Sequence, residues 1–319
     1  MYKSGFIAVI GRPNVGKSTL INKIIGQKIA IMSDKPQTTR SRIQCILTQD
    51  DAQFIFLDTP GIHKPKFKLG EYMLKAAEST LQEVDVIFFV IDATASLGNR
   101  GKGIGNSKIT NPSSLAPSPS IGGGEKYILE RLNSTTQPVI LVINKIDLLN
   151  RAELLPIIAA YSERYNFAAT VPISAVDGSN IDELLIEAKK FLPEGPKYYP
   201  ADMVTDQPER LIISEIIREK ILHVTEDEVP HAIAVDIEEI TSRRKDLTYI
   251  RATIYVERDS QKGILIGKDG GLLKGVGQTA RPEIEMLLGT KVFLDLWVKV
   301  KRDWRNSVGA IQSFGLGEN

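Results

Sequence analysis

The chain has 319 residues, of which 42% are hydrophobic and 25% are charged, and its 40 basic side chains nearly balance its 39 acidic ones. This composition is typical of an ordinary soluble globular protein, and the length suggests two domains. No apolar run approaches the roughly 18 residues of a membrane-spanning helix. The single cysteine, Cys45, excludes an internal disulfide and is expected to be a small buried residue.

The charge is distributed unevenly along the chain. Residues 201–240 carry 3 basic and 11 acidic side chains, whereas residues 241–319 carry 14 basic and 9 acidic ones. A basic C-terminal region points to a polyanionic partner, although a solvated surface with mixed charges would look similar.

The first part of the chain alternates short apolar runs with amphipathic stretches. Strands are predicted at residues 6–11, 42–49, 54–58, 85–92, 138–144 and 168–173, and helices at 17–25, 70–82, 125–132, 152–165 and 181–191. The short connection between the second and third strands predicts an antiparallel hairpin at the sheet edge. We therefore expect an α/β domain over residues 1–192, with a mostly parallel six-stranded sheet and helices on both faces.

One segment interrupts this alternation. Of the thirty residues 95–124, nineteen are Gly, Ser, Pro or Asn and none is acidic. This composition predicts a disordered insertion, which the domain tolerates because loop-closure entropy grows slowly with length. Its basic residues leave a contact with RNA open, but an inert, exposed insertion is favoured.

A proline-rich connector precedes a second domain. Residues 193–208 contain four prolines and a glycine, and they predict a semi-rigid linker. Beyond it we predict a helix at 211–222, strands at 231–240 and 250–258, a short helical turn, a helix at 272–287 and a strand at 292–300. This order predicts a small α+β domain with a three-stranded sheet over residues 209–319, ending in a basic tail.

A phosphate-binding motif follows the first strand. Its residues are Gly11, Arg12, Pro13, Asn14, Val15, Gly16, Lys17 and Ser18, with Thr19 next. They match the phosphate-loop pattern G-x4-G-K-[ST] and stand between a strand and a helix, as that loop requires. Glycines let backbone N–H groups surround the phosphates, Lys17 reaches the β- and γ-phosphates, and the Ser18 hydroxyl is a ligand for Mg²⁺.

Two further segments are predicted to complete the phosphate and metal site. The first consists of Asp58, Thr59, Pro60, Gly61 and Ile62. Asp58 ends a buried strand, where a carboxylate is favourable if it faces a metal and its waters, so we assign it to Mg²⁺ through water. The Gly61 N–H is assigned to the γ-phosphate. In the polar segment 33–42, Thr39 is assigned as a direct Mg²⁺ ligand, with Thr38 as the alternative.

A third segment predicts which base is bound. It consists of Asn144, Lys145, Ile146 and Asp147, followed after the next strand by Ser174 and Ala175. A carboxylate at Asp147 accepts from N1–H and the 2-amino group of guanine, whereas adenine would leave it unpaired at a cost of about 1–3 kcal/mol or more. The segment therefore predicts guanine and disfavours a P-loop kinase or ATPase. Ser174 and Ala175 are placed to contact the same base.

Taken in order, these motifs and the second domain resemble the Era family, bacterial GTPases with a C-terminal KH domain of type II. The G-x-x-G loop of such a domain matches Gly267, Lys268, Asp269 and Gly270, followed by Lys274. In the KH fold this loop clamps the backbone of about four nucleotides. Residues 261–305 hold 9 basic and 5 acidic side chains, which fits a phosphate-binding face.

The resemblance implies a function and its ligands. It implies hydrolysis of GTP to GDP and phosphate with Mg²⁺, with Lys17, Thr39 and Gly61 as the catalytic residues. It also implies binding of the 3′ end of 16S ribosomal RNA in assembly of the 30S subunit. A KH-type RNA chaperone that uses nucleotide only as a structural ligand is the alternative. A monomer in the cytoplasm is expected, and peripheral attachment to the inner face of the cell membrane stays open.

Individual residues refine these expectations. Ile62 stands where many GTPases carry a water-orienting glutamine, so intrinsic hydrolysis should be slow and should require a partner or an ion. Asn14 resembles the asparagine that holds K⁺ in potassium-dependent relatives. Trp297 alternates with apolar neighbours and is expected in the core, whereas Trp304 is left open between the core and a base-stacking surface.

Overall fold

The computed structural model describes residues 1–33, 35, 38–40, 42–61, 65, 67–96, 121–244 and 246–316. Ile62 and most of the predicted insertion, residues 97–120, lie outside this part of the chain. The described residues form a six-stranded sheet with helices on both faces, followed by a three-stranded sheet with helices on one face. The predicted fold class is confirmed.

The six-stranded sheet is built from strands that are mostly buried. They are β1 (Lys3–Ile10), β2 (Ile43–Thr48), β3 (Ala52–Asp58), β4 (Val86–Asp92), β5 (Val139–Asn144) and β6 (Ala169–Pro172). The order is β2-β3-β1-β4-β5-β6; β2 and β3 form the antiparallel hairpin, and the other neighbours are parallel. Parallel strands end at one edge of a sheet, so Asp58, Asp92 and Asn144 lie along the same edge.

Helices cover both faces of this sheet. They are α1 (Lys17–Ile25), α2 (Lys68–Glu83), α3 (Ala93–Ser96), α4 (Gly123–Leu132), α5 (Arg151–Ser162) and α6 (Ile181–Phe191). One apolar core lies against α1 and α6, and another lies against α2, α4 and α5. Gly26 ends α1 in a left-handed conformation (φ 77°), and Cys45 is buried as predicted. Helix α4 begins at Gly123, within the last two residues of the predicted insertion. Glu125, in the first turn of this helix, pairs with Arg12 at 2.9 Å.

The second unit confirms the predicted α-β-β-α-α-β order. Its main elements are α7 (Glu209–Val224), β7 (Ala234–Arg244), β8 (Leu247–Val256), α9 (Asp259–Ile266), α10 (Gly271–Leu288) and β9 (Lys291–Val300). Strand β8 pairs antiparallel with β7 and parallel with β9, so β9 is an edge strand. Apolar residues of α7 and α10 form a core with one face of this sheet. Within the described ranges, no helix is both long and apolar enough to cross a bilayer.

Two short helices and one tryptophan depart from the sequence predictions. Helices α8 (Val229–Ala232) and α11 (Val308–Ser313) are too short to show a helical repeat in the sequence. Trp304 is fully buried, and its indole N–H donates to Ala232 O at 2.8 Å. The predicted core position of Trp297 is wrong, since this residue is 56% exposed. Alternation along β9 separates two faces, but it does not show which face is covered.

The linker is packed against the first unit. The side-chain amide of the buried residue Gln53 accepts from Tyr198 N at 2.8 Å and from Tyr199 N at 3.1 Å, and it donates to Tyr199 O at 2.9 Å. Farther along, Ile46 N in β2 donates to Val204 O at 2.8 Å. These hydrogen bonds hold the linker along the β2–β3 hairpin.

Replacing Gln53 by Ala should lower the free energy of unfolding by about 2 kcal/mol, because linker backbone groups lose their buried partner. Chemical denaturation followed by circular dichroism measures this loss. Gln312→Ala, at an exposed position of α11, is the control and should change stability by less than about 0.5 kcal/mol. Equal unfolding midpoints for the wild type and the Gln53 variant would show that this amide does not hold the linker.

Candidate functional site

The phosphate loop joins the end of β1 to the start of α1. Gly11 (φ 153°), Asn14 (φ 67°) and Gly16 (φ 97°) have positive φ. A Cβ at Gly16 would lie 2.2 Å from the Asn144 side chain, and one at Gly11 would lie 2.3 Å from Val90 O. The loop therefore requires glycine at both positions, and the N–H groups at the start of α1 border it.

Lys17 lies within this loop and is buried. Its ammonium group donates to Gly11 O at 3.1 Å and to Arg12 O at 3.0 Å. Burial lowers the pKa of Lys17 to about 8, while the Asp58 carboxylate acts to raise it. A buried cation beside backbone N–H groups at a helix N-terminus favours an anion such as a phosphate chain.

Three residues assigned to Mg²⁺ from the sequence meet at one point. The hydroxyls of Ser18 and Thr39 donate to Asp58 Oδ2 at 2.8 and 3.1 Å, and they lie 3.3 Å from each other. Burial raises the pKa of the Asp58 carboxyl, against the opposing effects of Lys17 and the two hydroxyls. Asp58 Oδ1 is buried without a hydrogen-bond partner. Hydroxyl and carboxylate oxygens are ligands that Mg²⁺ prefers, and this unpaired oxygen suits a metal-bound water.

Asn144 connects the phosphate loop with the segment after β6. Its Nδ2 donates to Val15 O at 2.8 Å, and its Oδ1 accepts from Ala175 N at 3.0 Å. Ser174 is fully buried next to this contact. Asp147 lies in a short 3-10 turn after β5 and is exposed. The structure therefore brings the segments assigned to the base to the sheet edge that carries the phosphate loop.

Lys145 lies over the phosphate loop. Its ammonium group donates to Asn14 O at 3.0 Å and pairs with Asp92 at 2.6 Å. Burial acts to raise the pKa of Asp92, but the hydrogen bonds and charge of Lys145 and Thr94 hold it below its usual value. Asp92 was not predicted as a site residue because no motif surrounds it; the pairing of β4 with β5 places it opposite Asn144.

The segment after β3 also passes the phosphate loop. Thr59 Oγ1 donates to Val9 O at 3.0 Å, and a Cβ at Gly61 would lie 3.1 Å from Pro13. Gly61 therefore borders the loop, which is the position that a contact with the γ-phosphate requires.

A cavity of about 530 Å³ lies between these segments. Its wall is formed by the phosphate loop, by residues of the segment 31–39, by Lys145, and by Glu219 and His223 of α7. The second unit thus forms part of the wall of the candidate nucleotide site. Sequence motifs gave no sign of this contact, because it joins distant parts of the chain.

Arg40, which follows Thr39, is buried against the second unit. Its guanidinium donates to the backbone carbonyls of Pro230, His231 and Ile233. It also lies 5.7 Å from the centre of the Trp304 ring. Burial, together with the nearby charge of Arg218, lowers the pKa of Arg40 to about 9. The cost of burying this cation is offset by the carbonyls of the second unit.

Arg218 of α7 binds Thr38, the residue that precedes Thr39. Its guanidinium donates to Thr38 O and pairs with Glu215, with Nε 2.8 Å from Oε1. Arg218 is buried, and its Nη1 has no hydrogen-bond partner. Thr39, whose hydroxyl contacts Asp58, therefore lies between two residues that are bonded to the second unit.

Lys28 and His223 make further contacts between the units. Lys28 pairs with Glu219 at 2.6 Å and with Glu283 at 2.9 Å. His223 Nε2 lies 3.0 Å from Met32 O. These contacts fix α7 and α10 against the chain that follows α1.

The G-x-x-G loop lies between α9 and α10. Gly267 (φ 73°), Asp269 (φ 51°) and Gly270 (φ 74°) form its tight turn. A groove of about 440 Å³ runs beside it between α10 and β9. Its wall includes Gly270, Lys274, Gln278, Arg281, Leu294 and Leu296. Lys274, which was assigned to RNA from the sequence, lies in the wall of this groove. Arg281 is a second cation in the wall, and no sequence motif indicated it. An apolar floor with cationic rims suits a single nucleic acid strand.

The architecture is that of a P-loop nucleotide-binding domain joined to a KH domain. The family described as "50S ribosome-binding GTPase" matches residues 6–145, and the KH domain family matches residues 228–305.

Two solved Era structures resemble the chain over its whole length. Era in complex with MgGDPNP and nucleotides 1506–1542 of 16S ribosomal RNA shares 41% sequence identity, with a TM-score of 0.88 and 100% of both chains covered. An Aquifex aeolicus Era variant bound to GDP·AlF4⁻ shares 40% identity, with a TM-score of 0.88, over 99% of this chain and 100% of the other. The chain belongs to the Era family of GTPases, which confirms the resemblance that the motifs indicated.

Replacing Arg218 by Met should weaken the binding of a GTP analogue with Mg²⁺ about tenfold and leave GDP binding nearly unchanged. The reason is that Thr39 is assigned to Mg²⁺ only when the γ-phosphate is present, and a hydrogen bond to a charged group contributes about 1.5 kcal/mol. Fluorescence titration with labelled nucleotides measures both affinities.

The matched control for this prediction is Arg210→Met. The Arg210 guanidinium donates to Ile237 O within the second unit and makes no comparable bond to residues 38–40. Equal losses for GDP and the GTP analogue in the Arg218 variant would mean that Arg218 supports the fold and does not act through Thr39.

Proposed function

We propose that this chain is a GTP-hydrolysing switch whose nucleotide state controls binding of the 3′ end of 16S ribosomal RNA during assembly of the 30S subunit. The observation that carries this proposal is the position of residues 38–40. Thr39 contacts Asp58 in the nucleotide site, while Thr38 and Arg40 are bonded to the KH domain. A change at the γ-phosphate would therefore reach the RNA-binding domain through one short segment.

The nucleotide is held, in this proposal, by four segments of the first domain. Residues 11–19 surround the phosphates, the segment 58–62 supplies the Gly61 N–H to the γ-phosphate, and residues 144–147 and 174–175 contact guanine. The Ser18 and Thr39 hydroxyls, and Asp58 through water, would hold Mg²⁺, which would supply positive charge at the β- and γ-phosphates.

Hydrolysis depends on positioning and charge. Lys17 and the loop N–H groups stabilise the negative charge that develops on the transferred phosphoryl group. The Gly61 N–H holds a γ-phosphate oxygen and is released with its loop when phosphate leaves. Because Ile62 cannot orient water, the intrinsic rate is expected to be slow, and a partner or an ion is required to complete the site.

The RNA is assigned to the groove beside the G-x-x-G loop. Gly267, Lys268, Asp269 and Gly270 would clamp the backbone, and Lys274 would contact phosphate. The description of the matching GTPase family names the 50S subunit, whereas the related Era structure contains 16S ribosomal RNA. The match to that Era covers both domains, including the KH domain, so we favour the 16S RNA of the small subunit as the partner.

The cellular setting follows from this role. We propose that the chain acts as a monomer in the cytoplasm on the 30S subunit, with peripheral attachment to the inner face of the membrane as a further state. Cell fractionation and ultracentrifugation of the purified chain test both statements.

A KH-type RNA chaperone with nucleotide as a structural ligand is the alternative function. The burial of Arg40 and Arg218 around Thr39 favours a switch, because a purely structural nucleotide needs no link between the metal site and the KH domain. Multiple-turnover phosphate release separates the two functions. A switch releases phosphate repeatedly and changes its rate with RNA, whereas a chaperone of this kind would not.

Asp147→Asn should change the base preference from guanine to xanthine. The carboxylate accepts from N1–H and the 2-amino group of guanine, whereas an amide can donate to the 2-oxygen of xanthine. Competition of GTP, ATP and XTP against labelled GDP measures the preference, and Lys17→Ala should abolish binding of all of them. A variant that still prefers GTP to XTP would contradict the assignment of Asp147.

Gly270→Asp should weaken RNA binding about tenfold or more and leave GDP binding unchanged, because a carboxylate in the clamp repels the phosphate backbone. RNA titrations at constant salt measure the loss. Gly309→Asp makes the same charge change in α11, away from the groove, and should bind RNA like the wild type. Parallel losses of RNA and GDP binding would show that the two sites are not separable as proposed.

Turnover should be several-fold faster in K⁺ than in Na⁺ at equal ionic strength, because Asn14 is assigned to a K⁺ ion that supplies positive charge beside the phosphates. Steady-state phosphate release measures the difference, and Asn14→Ala should remove it. Equal rates in the two salts would exclude the K⁺ site.

A further inference from the structure

One face of the KH sheet is open and presents large aromatic side chains. Phe293 and Trp297 lie four residues apart on β9 and are 57% and 56% exposed. Val292 and Val298, at alternate positions, pack in the core with α10. Since successive side chains of a strand point to opposite faces, the two aromatic residues lie on the face that α10 does not cover. Exposed apolar groups gathered in one place mark interaction surfaces.

Contacts within this face hold the rings in place. Phe293 stacks on Tyr249 of β8, with ring centres 5.9 Å apart and planes 17° apart. Tyr249 OH donates to Asp295 Oδ2 at 2.8 Å. Burial acts to raise the pKa of Asp295, but hydrogen bonds from Tyr249, Trp297 and Arg251 hold it below its usual value. The Phe293 ring is thus held against Tyr249, so a ligand would meet a ring that is already ordered. We call Tyr249, Phe293 and Trp297 the aromatic face.

The charges beside the aromatic face are paired, and the cations are the more exposed partners. Arg251 pairs with Asp295 at 3.5 Å, with the two side chains 44% and 28% exposed. Lys299 pairs with Glu238 at 3.0 Å, and their side chains are 52% and 32% exposed, respectively. At the start of β9, Lys291 is likewise far more exposed than its partner Glu285. In each of these three pairs the cation is the more exposed partner, so a phosphate backbone that approaches them can contact the cation.

The aromatic face and the groove beside the G-x-x-G loop lie on opposite sides of the same strand, β9. Leu294 and Leu296 of β9 line that groove, and β9 is the free edge of the sheet. A strand that leaves the groove can pass around this edge and reach Trp297 and Phe293. The groove alone accommodates about four nucleotides. The RNA in the related Era complex, nucleotides 1506–1542, is much longer than that.

We propose that the aromatic face is a second binding site for single-stranded RNA, on which bases stack against Trp297 and Phe293 after the strand leaves the groove. Any base can stack on an aromatic ring. The aromatic face would therefore increase the affinity for RNA without adding sequence preference, and the groove would select the sequence. Arg251 and Lys299 contact the phosphates on either side. This inference rests on the proposed RNA-binding function of the groove and extends it.

Fluorescence anisotropy measures the affinity of the full chain for two oligonucleotides of the 16S 3′ end. One has about four nucleotides and fills the groove. The other has about twelve nucleotides and can also reach the aromatic face. Trp297→Ala should weaken binding of the longer RNA about tenfold and leave the shorter one unchanged, and Trp297→Phe should retain most of the affinity. Tyr198→Ala, at a similarly exposed aromatic residue in the linker, is the control and should leave the affinities for both RNAs unchanged.

Tryptophan fluorescence gives an independent readout. The chain has two tryptophans, and Trp304 is fully buried, so quenching by RNA reports on Trp297. The longer RNA should quench the emission and the shorter one should not. If Trp297→Ala and wild type bind the longer RNA equally, without quenching, the aromatic face is not an RNA site and serves another partner. If wild type binds neither RNA, the groove itself fails and the proposed function fails with it.

Discussion

The structure depends on the placement of one threonine between two buried arginines. Thr39 contacts Ser18 and Asp58 in the metal site, while Arg40 and Arg218 bond its neighbouring residues to the KH domain. Pulling this segment away would leave buried guanidinium groups without their carbonyl partners. A hydrogen bond to a charged group contributes about 1.5–3 kcal/mol, so the segment and the KH domain are expected to move together. Nucleotide state and domain arrangement are thus joined by burial of charge.

The same constraint explains why the cavity wall contains residues of both domains. Helix α7 carries Arg218 and also Glu219 and His223, which border the nucleotide cavity. A P-loop domain alone would leave residues 38–40 exposed to solvent, free to sample many conformations. With α7 packed against them, the hydroxyl of Thr39 is ordered before a metal arrives, which reduces the entropy lost on binding. The KH domain therefore has a place in the GTPase site as well as in RNA binding.

Sequence alone predicted the parts of the molecule that local rules determine. Helix α1 runs from Lys17 to Ile25 as predicted, because a phosphate loop precedes it and Gly26 ends it. The sequence also predicted that Ser18, Thr39 and Asp58 share the metal site: β1 and β3 are parallel and end at one sheet edge, and the antiparallel strand β2, which Thr39 precedes, begins there. The roles of Arg40 and Arg218 were not, because their partners are backbone carbonyls far away in the sequence. Trp297 was misplaced for a related reason: a strand with two apolar faces does not show which one a helix covers.

The most direct test of the link between the two domains is the affinity of the chain for a 16S 3′-end oligonucleotide, measured with GDP and with a non-hydrolysable GTP analogue. Coupling between sites is reciprocal, so if RNA binding and the contact of Thr39 with Mg²⁺ are linked, the nucleotide that brings this metal contact changes RNA affinity as well. This coupling should make RNA binding at least about fivefold tighter with the GTP analogue, and the difference should disappear in Arg218→Met. Equal RNA affinities in the two nucleotide states of the wild-type chain would contradict it.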